Sequence, residues 1–232
     1  MIIHKTKQRA AVFDIDGTIF RSSLLIELVE KFIEEGLFPY RARASYEEEY
    51  QRWLARHGAY SDYINKVVQA YGIYIKGVKL SDALEISNRL MIFHKNKVYT
   101  FTRDLVRKLA KTHFLLAISH SPYHVVEPFC REWGFDKVYA MIYEVNNAGI
   151  FTGNVEYEDL IKDKGKILER AVAKENLILK GSIGVGDTES DIPMLKIVSQ
   201  PIVFNPNRKL YQVAKRNRWE IVVERKDMIY KL

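Results

Sequence analysis

Short apolar runs alternate with helical patterns along most of this chain, and this alternation limits the fold more than any other feature. The apolar runs, which predict strands, cover residues 10–13, 114–119, 182–185, 201–204 and 221–223. The helical patterns after residue 100 cover residues 104–111, 125–133, 164–174, 191–197 and 208–216. Repeated β-α units of this kind predict an α/β fold built on a doubly wound parallel sheet. In such sheets the functional site lies beyond the carboxyl ends of the strands.

The region between the first two predicted strands has a different pattern. Apolar residues recur at helical spacing over residues 24–33, and three more helical stretches follow at roughly residues 46–57, 61–71 and 81–95. We therefore predict a helical domain of about four helices at residues 21–98, inserted into a core made of residues 1–20 and 99–232. Two further strands, residues 138–145 and 151–155, flank an Asn-Asn-Ala-Gly turn and predict a small β-hairpin.

Composition narrows the class of protein. The one cysteine, Cys130, excludes an intramolecular disulfide and a cysteine-based zinc cluster, and we expect it to pack in a helix. With no apparent signal peptide or membrane-spanning stretch, we expect a cytoplasmic protein. The net charge of +7 suits an anionic partner, but the basic residues are scattered. We therefore favour a small phosphorylated metabolite over nucleic acid.

Polar residues follow three of the predicted strands. A further polar residue begins the helix that leads into one of these strands. Asp14 and Asp16 follow the first strand, Ser119 ends the second, and the run from Gly186 to Asp191 follows a later one. Lys164 begins the helix before that later strand. Because the carboxyl ends of parallel strands meet at one edge, we expect these groups to share one crevice.

Crowded carboxylates need a cation. Two like charges 4 Å apart repel by roughly 4 kcal/mol at an effective dielectric constant of 20. Oxygen ligands without a Cys/His set favour Mg²⁺ over zinc. The same repulsion opposes an aspartate that attacks a phosphate dianion, unless the metal and Lys164 neutralise both. Carboxylates, Mg²⁺ and a lysine together predict phosphoryl transfer through an aspartyl-phosphate intermediate.

Four motifs in order resemble those of the haloacid dehalogenase superfamily. They are Phe13-Asp-Ile-Asp-Gly-Thr-Ile19, Ala117-Ile-Ser119, Lys164-Gly-Lys-Ile-Leu168 and Gly184-Val-Gly-Asp-Thr-Glu-Ser-Asp-Ile-Pro-Met-Leu195. Together with the helical insertion, they make the chain most similar to the phosphoserine-phosphatase-like branch, subfamily IB. The resemblance implies a Rossmann-like core with an all-helical cap of the C1 type. The cap is expected to hinge near residues 21–23 and 98–101 and to exclude water on closing.

The resemblance also implies roles for the catalytic residues. Asp14 would be the nucleophile, and Asp16 would be the general acid to the leaving alcohol and then the general base to water. Ser119 would hydrogen-bond a phosphoryl oxygen, and Lys164 would bridge the nucleophile and the phosphate. Lys162 and Lys166 are rivals of Lys164, which the motif favours.

The metal would be held by Asp14, by the backbone carbonyl of Asp16 and by Asp187. A second group of residues would support the site: Thr18 and Gly186 in the turns, Ser190, and Asp191, which would anchor Lys164 or the metal's waters. Ser190 stands where the family often has asparagine.

Departures from the branch bear on the substrate. Ser23 stands where phosphoserine phosphatases have a glutamate that contacts the substrate amine, and the cap arginine that clamps the carboxylate has no clear counterpart. His120 replaces a usual glycine and is expected to line the pocket, whereas a zinc role for His120 with His124 is disfavoured. We expect the aromatic residues of the cap to be mostly core, with one or two touching the substrate.

These observations favour a Mg²⁺-dependent phosphomonoester hydrolase that acts on a small cytosolic phosphate ester and is poor on phosphoserine. One alternative is a phosphotransferase that passes the phosphoryl group to an acceptor alcohol. The other is a non-catalytic regulatory or binding module, which the intact set of Asp14, Asp16, Lys164 and Asp187 disfavours.

Overall fold

A computed structural model describes residues 8–232, so the first seven residues of the predicted core segment 1–20 lie outside the described residues. Within this range, eight strands form one sheet: β1 (Gln8–Phe13), β2 (His113–Pro122), β3 (Lys137–Val145), β4 (Phe151–Glu156), β5 (Leu177–Gly186), β6 (Gln200–Phe204), β7 (Glu220–Arg225) and β8 (Met228–Lys231). Their order is β4-β3-β2-β1-β5-β6-β7-β8. The inner neighbours pair in parallel, and β4 and β8 pair antiparallel at the two edges. The predicted α/β fold and the β3–β4 hairpin are confirmed.

The prediction that residues 221–223 form the last strand is wrong. The chain turns after β7 with Lys226 at a φ of 56° and returns as β8, which lies antiparallel to β7. This turn contains no glycine, so the sequence carries no strong turn signal at this point.

The helices fall into two groups. Residues 21–98 contain α1 (Leu24–Glu34), α2 (Arg41–Ala44), α3 (Glu47–Leu54), α4 (Tyr60–Tyr74) and α5 (Leu80–His94). The later helices are α6 (Thr100–Leu109), α7 (Tyr123–Glu132), α8 (Glu158–Ile161), α9 (Lys164–Glu175), α10 (Ile192–Leu195) and α11 (Arg208–Asn217). The four predicted cap helices are present, and the added α2 is one turn long. The predicted helix at residues 191–197 is instead a 3₁₀ turn (Glu189–Asp191) followed by α10, because Pro193 favours a helix start there.

The sheet is covered on both faces. Alternate residues of β1 point to opposite sides, so Ala11 and Phe13 join one apolar cluster and Val12 joins another. The first cluster includes α7 and the cap helices, and the second includes α9, α10 and α11. This packing fixes the carboxyl ends of β1, β2 and β5 at one rim.

The two segments that connect the cap to the core pair with each other. The N–H of Arg21 donates to the carbonyl of Lys97 at 2.8 Å, and the N–H of Tyr99 donates to the carbonyl of Ile19 at 3.0 Å. The domain boundaries at 20/21 and 98/99 stay a prediction. They fall in this short ladder, where the chain enters and leaves the cap.

The cap has a third attachment, to the β3–β4 hairpin. The N–H of Gly77 donates to the carbonyl of Phe151 at 2.9 Å, and the N–H of Phe151 donates to the carbonyl of Val78 at 2.9 Å. The N–H of Leu80 donates to the carbonyl of Gly149 at 2.8 Å. Any motion of the α4–α5 loop away from the core therefore also has to move the hairpin or break these hydrogen bonds.

Among residues 8–232, the structure contains no helix that combines the length and the apolar character needed to cross a bilayer.

Candidate active site

Functional side chains predicted from the sequence lie at the ends of three neighbouring strands, at one edge of the sheet. Asp14 follows β1, Ser119 lies near the end of β2, and Asp187 follows β5. Because these strands are adjacent and parallel, their carboxyl ends lie side by side. Lys164, the first residue of α9, reaches the same place. Asp14, Lys164 and Asp187 line the cavity as predicted, whereas Ser119 is buried against Asp16 and is not among the lining residues.

Lys164 is buried between two carboxylates. Its Nζ lies 2.5 Å from Oδ1 of Asp14 and 2.6 Å from Oδ1 of Asp191. Its helix starts cleanly, because the side chain of Asp163 accepts hydrogen bonds from the first N–H groups of α9. Of the rival lysines, Lys162 forms an ion pair with Glu158 at the surface and Lys166 is exposed. The lysine preferred from the motif is therefore the one that lies in the cavity.

Three carboxylates form a compact cluster. One oxygen each from Asp14, Asp187 and Asp191 lies within 4.8 Å of the other two. Burial and the neighbouring negative charges raise the pKa of Asp14 and of Asp187, against the opposing charge of Lys164.

The cluster fits a hard divalent cation. The second oxygen of Asp14, Oδ2, is buried and has no hydrogen-bond partner among the described residues. An unpartnered buried carboxylate oxygen is costly unless a cation or a strong donor meets it. An oxygen-only donor set with this excess of negative charge is the type that binds Mg²⁺.

The backbone around the cluster leaves little room. The Oδ2 atom of Asp191 accepts hydrogen bonds from the N–H groups of Asp187 and Thr188, both at 2.9 Å. A Cβ atom added at Gly186 would lie 2.5 Å from Cβ of Asp191, and one added at Gly17 would lie 2.2 Å from Oδ2 of Asp187. Gly186 is therefore needed for the close approach of these loops, and Gly17 is favoured also by its φ of 79°, which side chains rarely adopt.

Two of the predicted supporting residues touch this loop. The hydroxyl of Thr18 lies 3.4 Å from Oδ1 of Asp187, and the hydroxyl of Ser190 lies 2.9 Å from that of Thr188. The 3.4 Å distance is long for a hydroxyl donor, so the contact of Thr18 is weak. Ser190 orders the loop through Thr188.

The side chain of Asp16 lies apart from the carboxylate cluster. Its Oδ1 atom accepts the N–H of Leu24 at 2.5 Å, and its Oδ2 atom accepts the hydroxyl of Ser119 at 2.8 Å. Burial raises the pKa of Asp16, although these two hydrogen bonds favour the ionised form. The third member of the cluster is thus Asp191, and Asp16 instead links the end of β2 to the start of the first cap helix.

The two predicted pocket residues, Ser23 and His120, both line the cavity. Ser23 is buried directly before α1. The Nε2 atom of His120 lies 3.0 Å from the carbonyl of Ile161, and burial lowers the pKa of His120 to about 4. His124 lies elsewhere, with its ring against Phe32 and Tyr71, so the two histidines do not form a metal pair.

One of the aromatic residues of the cap lines the same cavity as the carboxylates. Tyr60, the first residue of α4, lines the same cavity, and the charges of Asp16 and Asp187 add to burial in raising its pKa. The sequence predicts a helix from residue 61, one position after Tyr60, and it does not give the distance between the cap and the core. The structure brings them together.

A sequence model of haloacid dehalogenase-like hydrolases matches residues 11–196. The chain belongs to this family. The match includes all four motifs, so the resemblance read from the sequence is confirmed, and the geometry above is that of a haloacid dehalogenase-like hydrolase.

Two relatives can be aligned with nearly the whole chain. The inhibition of morphological differentiation protein of Streptomyces azureus is 27% identical, over 94% of this chain and 79% of its own length. The histidinol-phosphatase of Neisseria meningitidis is 23% identical, over 91% of this chain and 97% of its own length.

Solved structures of this fold superpose well. A Bordetella pertussis protein of unknown function has a TM-score of 0.74 at 20% identity, covering 93% of this chain and 98% of its own. A phospho-aspartyl intermediate analogue of phosphoserine phosphatase has a TM-score of 0.62 at 19% identity, covering 96% of both chains. At these identities the likeness shows that this hydrolase shares their fold.

Proposed function

We propose that this hydrolase is a Mg²⁺-dependent phosphatase that cleaves phosphate monoesters through a phosphoryl group carried on Asp14. One observation supports this most strongly. Asp14 has one carboxylate oxygen on the ammonium group of Lys164, while its other oxygen is buried beside Asp187 and Asp191 and has no hydrogen-bond partner within residues 8–232. A carboxylate held in this way is oriented by one oxygen and free to react or bind a cation through the other.

In the first half-reaction, a carboxylate oxygen of Asp14 forms a bond to phosphorus as the bond from phosphorus to the alcohol oxygen breaks. Asp16 donates a proton to the departing alcohol, a role that suits a carboxyl whose pKa is raised by burial. Lys164 neutralises the nucleophile and the phosphate. When bound, Mg²⁺ supplies positive charge that offsets the repulsion between the carboxylate and the phosphate dianion.

In the second half-reaction, Asp16 accepts a proton from water as the water oxygen attacks phosphorus. The bond between phosphorus and Asp14 breaks, which releases inorganic phosphate and restores the carboxylate. We assign the metal to Asp14, Asp187 and the backbone carbonyl of Asp16. Asp191 positions Lys164. Ser119 donates its one hydroxyl proton to Asp16 and so holds that side chain, and it can donate to a phosphoryl oxygen of the substrate only when this hydrogen bond is released.

We propose a small cytosolic phosphate ester as the substrate. Relatives named histidinol-phosphatase and phosphoserine phosphatase support a small phosphorylated molecule. Phosphoserine itself is expected to be a poor substrate. Ser23 at the start of α1 provides no carboxylate for the substrate amine.

The test is hydrolysis of p-nitrophenyl phosphate by the purified protein with Mg²⁺ and with EDTA. Activity is expected with Mg²⁺, lost with EDTA and absent in Asp14→Asn. The matched control is Asp227→Asn, an exposed aspartate in the β7–β8 turn, which should keep wild-type activity. Activity that survives Asp14→Asn would remove the covalent mechanism.

A further inference from the structure

Aromatic side chains of the cap form one side of the site cavity. The set, here called the aromatic wall, consists of Tyr46, Tyr50, Trp53, Tyr60 and Tyr63. The cavity they share with Asp14 and Asp187 has a volume of about 1380 Å³. Small-molecule sites typically measure about 300–1,000 Å³, so this cavity has room for much more than a phosphate group.

We propose that the aromatic wall binds a flat aromatic or heteroaromatic ring in the alcohol part of the substrate. The substrate is then a ring-bearing phosphate monoester. This inference rests on the proposed function and adds the chemical class of its leaving group.

Each ring of the wall contacts at least one other ring of the wall. The rings of Trp53 and Tyr63 are stacked, with centroids 5.7 Å apart and planes 18° apart. Trp53 also meets Tyr60 at 5.5 Å, and Tyr50 meets Tyr63 at 5.1 Å. Contacts of this geometry position each ring, so the wall presents an ordered surface to the cavity.

Only part of the wall is used as cap core. Tyr46 and Tyr63 are buried, with 2% and 4% of their surface exposed. Tyr60 keeps 39% of its surface exposed, and Tyr50 and Trp53 are partly exposed. Aromatic surface that stays open inside a cavity is available to a ligand ring, which would remove it from water.

Tyr60 connects the wall to the reacting groups. Its ring contacts that of Trp53, and it lines the same cavity as Asp14 and Asp187. Its hydroxyl makes no hydrogen bond to any residue in the described range 8–232, so it is free to meet a ligand. A ring on the wall and a phosphate at Asp14 would therefore occupy the same cavity.

Three charged side chains of the cap that line the cavity, Glu27, Glu30 and Arg43, already have partners. Glu30 accepts a hydrogen bond from the hydroxyl of Tyr46 at 2.6 Å and forms an ion pair with Arg43. Glu27 forms an ion pair with Lys97 at 2.6 Å. Arg43 is thus held by Glu30 and is not free to clamp a substrate carboxylate. Recognition through ring contact fits this side of the cavity better than recognition of an amino acid.

The experiment compares kcat/KM for 2-phenylethyl phosphate and 2-cyclohexylethyl phosphate, with Mg²⁺, in the full-length protein. The two esters have similar size and similar leaving alcohols and differ in aromaticity. The wild type should prefer the phenyl ester by about 2- to 12-fold, the range expected for one aromatic contact. Trp53→Leu and Tyr60→Leu should bring this ratio towards one, chiefly through KM. Phe93→Leu, on the exposed outer side of α5, should keep the wild-type ratio.

A wild-type ratio near one would overturn the inference, as would an unchanged ratio in both Trp53→Leu and Tyr60→Leu. If the wall had a purely structural role, Trp53→Leu and Tyr60→Leu would lower kcat/KM equally for both esters and leave the ratio unchanged. Ethyl phosphate, a monoester with no ring, separates the two proposals. If it is hydrolysed but the ratio of the two ring esters is one, only the aromatic wall fails. If none of the three monoesters is hydrolysed, the phosphatase proposal fails with it.

Discussion

The ammonium nitrogen of Lys164 lies 2.5 Å from Oδ1 of Asp14, although the two residues are 150 positions apart in the sequence. The same nitrogen also binds Asp191. Burial works against the charged form of Lys164, but the charges of Asp14 and Asp191 outweigh it and raise the pKa of the lysine. The lysine thus stays protonated and holds two carboxylates together at the sheet edge.

Replacing this lysine should cost both activity and stability. In Lys164→Met, two buried carboxylates lose their cation, and breaking a buried ion pair typically costs about 3–5 kcal/mol. We expect hydrolysis to be lost and the free energy of unfolding to fall by about this amount, measured by urea denaturation in EDTA. The control is Lys166→Met, two positions along the same helix and exposed. Equal urea midpoints for the two variants would contradict the account.

Gly186 should not tolerate a side chain, because its Cβ would meet Asp191 at 2.5 Å. Gly186→Ala is expected to displace the loop that carries Asp187, and so to reduce Mg²⁺-dependent activity and lower the melting temperature. Gly72→Ala is the opposite control. It lies inside α4 with nothing within 4 Å of the added Cβ, and should stabilise the protein by about 0.5–1 kcal/mol. A Gly186→Ala protein with unchanged activity would show that this close approach is not required.

The strand ends explain how much of the site could be predicted from the sequence. Asp14, Ser119 and Asp187 each follow an apolar run, and parallel pairing places such residues at one edge. Lys164 could be chosen over Lys162 and Lys166 only through the motif, since the three lysines stand at alternate positions in one short segment. The structure then shows that its side chain alone of the three is buried.

Side-chain direction and cap placement could not be predicted. Asp16 is close to Asp14 in the sequence, and Asp191 is close to Asp14 in the fold. Which one joins the cluster depends on hydrogen bonds to Leu24 and to the loop at Asp187. The position of Tyr60 beside the core depends on how the cap docks, which periodicity does not encode. The one-turn helices α2 and α8 are too short to show a period.

The stability of the protein should depend on pH through His124, which lies against Tyr71 and Phe32 of the cap. Burial lowers the pKa of His124 from 6.5 to about 4 in the folded protein. Protonation therefore favours the unfolded state. The stabilisation is complete above pH 6.5 and is lost as the pH falls from 6.5 towards 4, by about 2 kcal/mol at pH 5.

The measurement is the free energy of unfolding at several pH values, in the wild type and in His124→Gln. The variant should lose less stability than the wild type between pH 6.5 and pH 4. His57→Gln, at an exposed position in the cap, should keep the wild-type slope. If His124→Gln also keeps that slope, the histidine is not buried in its neutral form.

Asp14 should carry the phosphoryl group during turnover, and trapping the phosphorylated enzyme shows whether it does. The protein is mixed with excess p-nitrophenyl phosphate and Mg²⁺, quenched in acid within one turnover, and digested for mass spectrometry. If Asp14 is the nucleophile, the peptide containing it gains the mass of one phosphoryl group in the wild type and not in Asp14→Asn. Hydrolysis in the wild type with no phosphorylated peptide, or with the phosphoryl group on another residue, would contradict it.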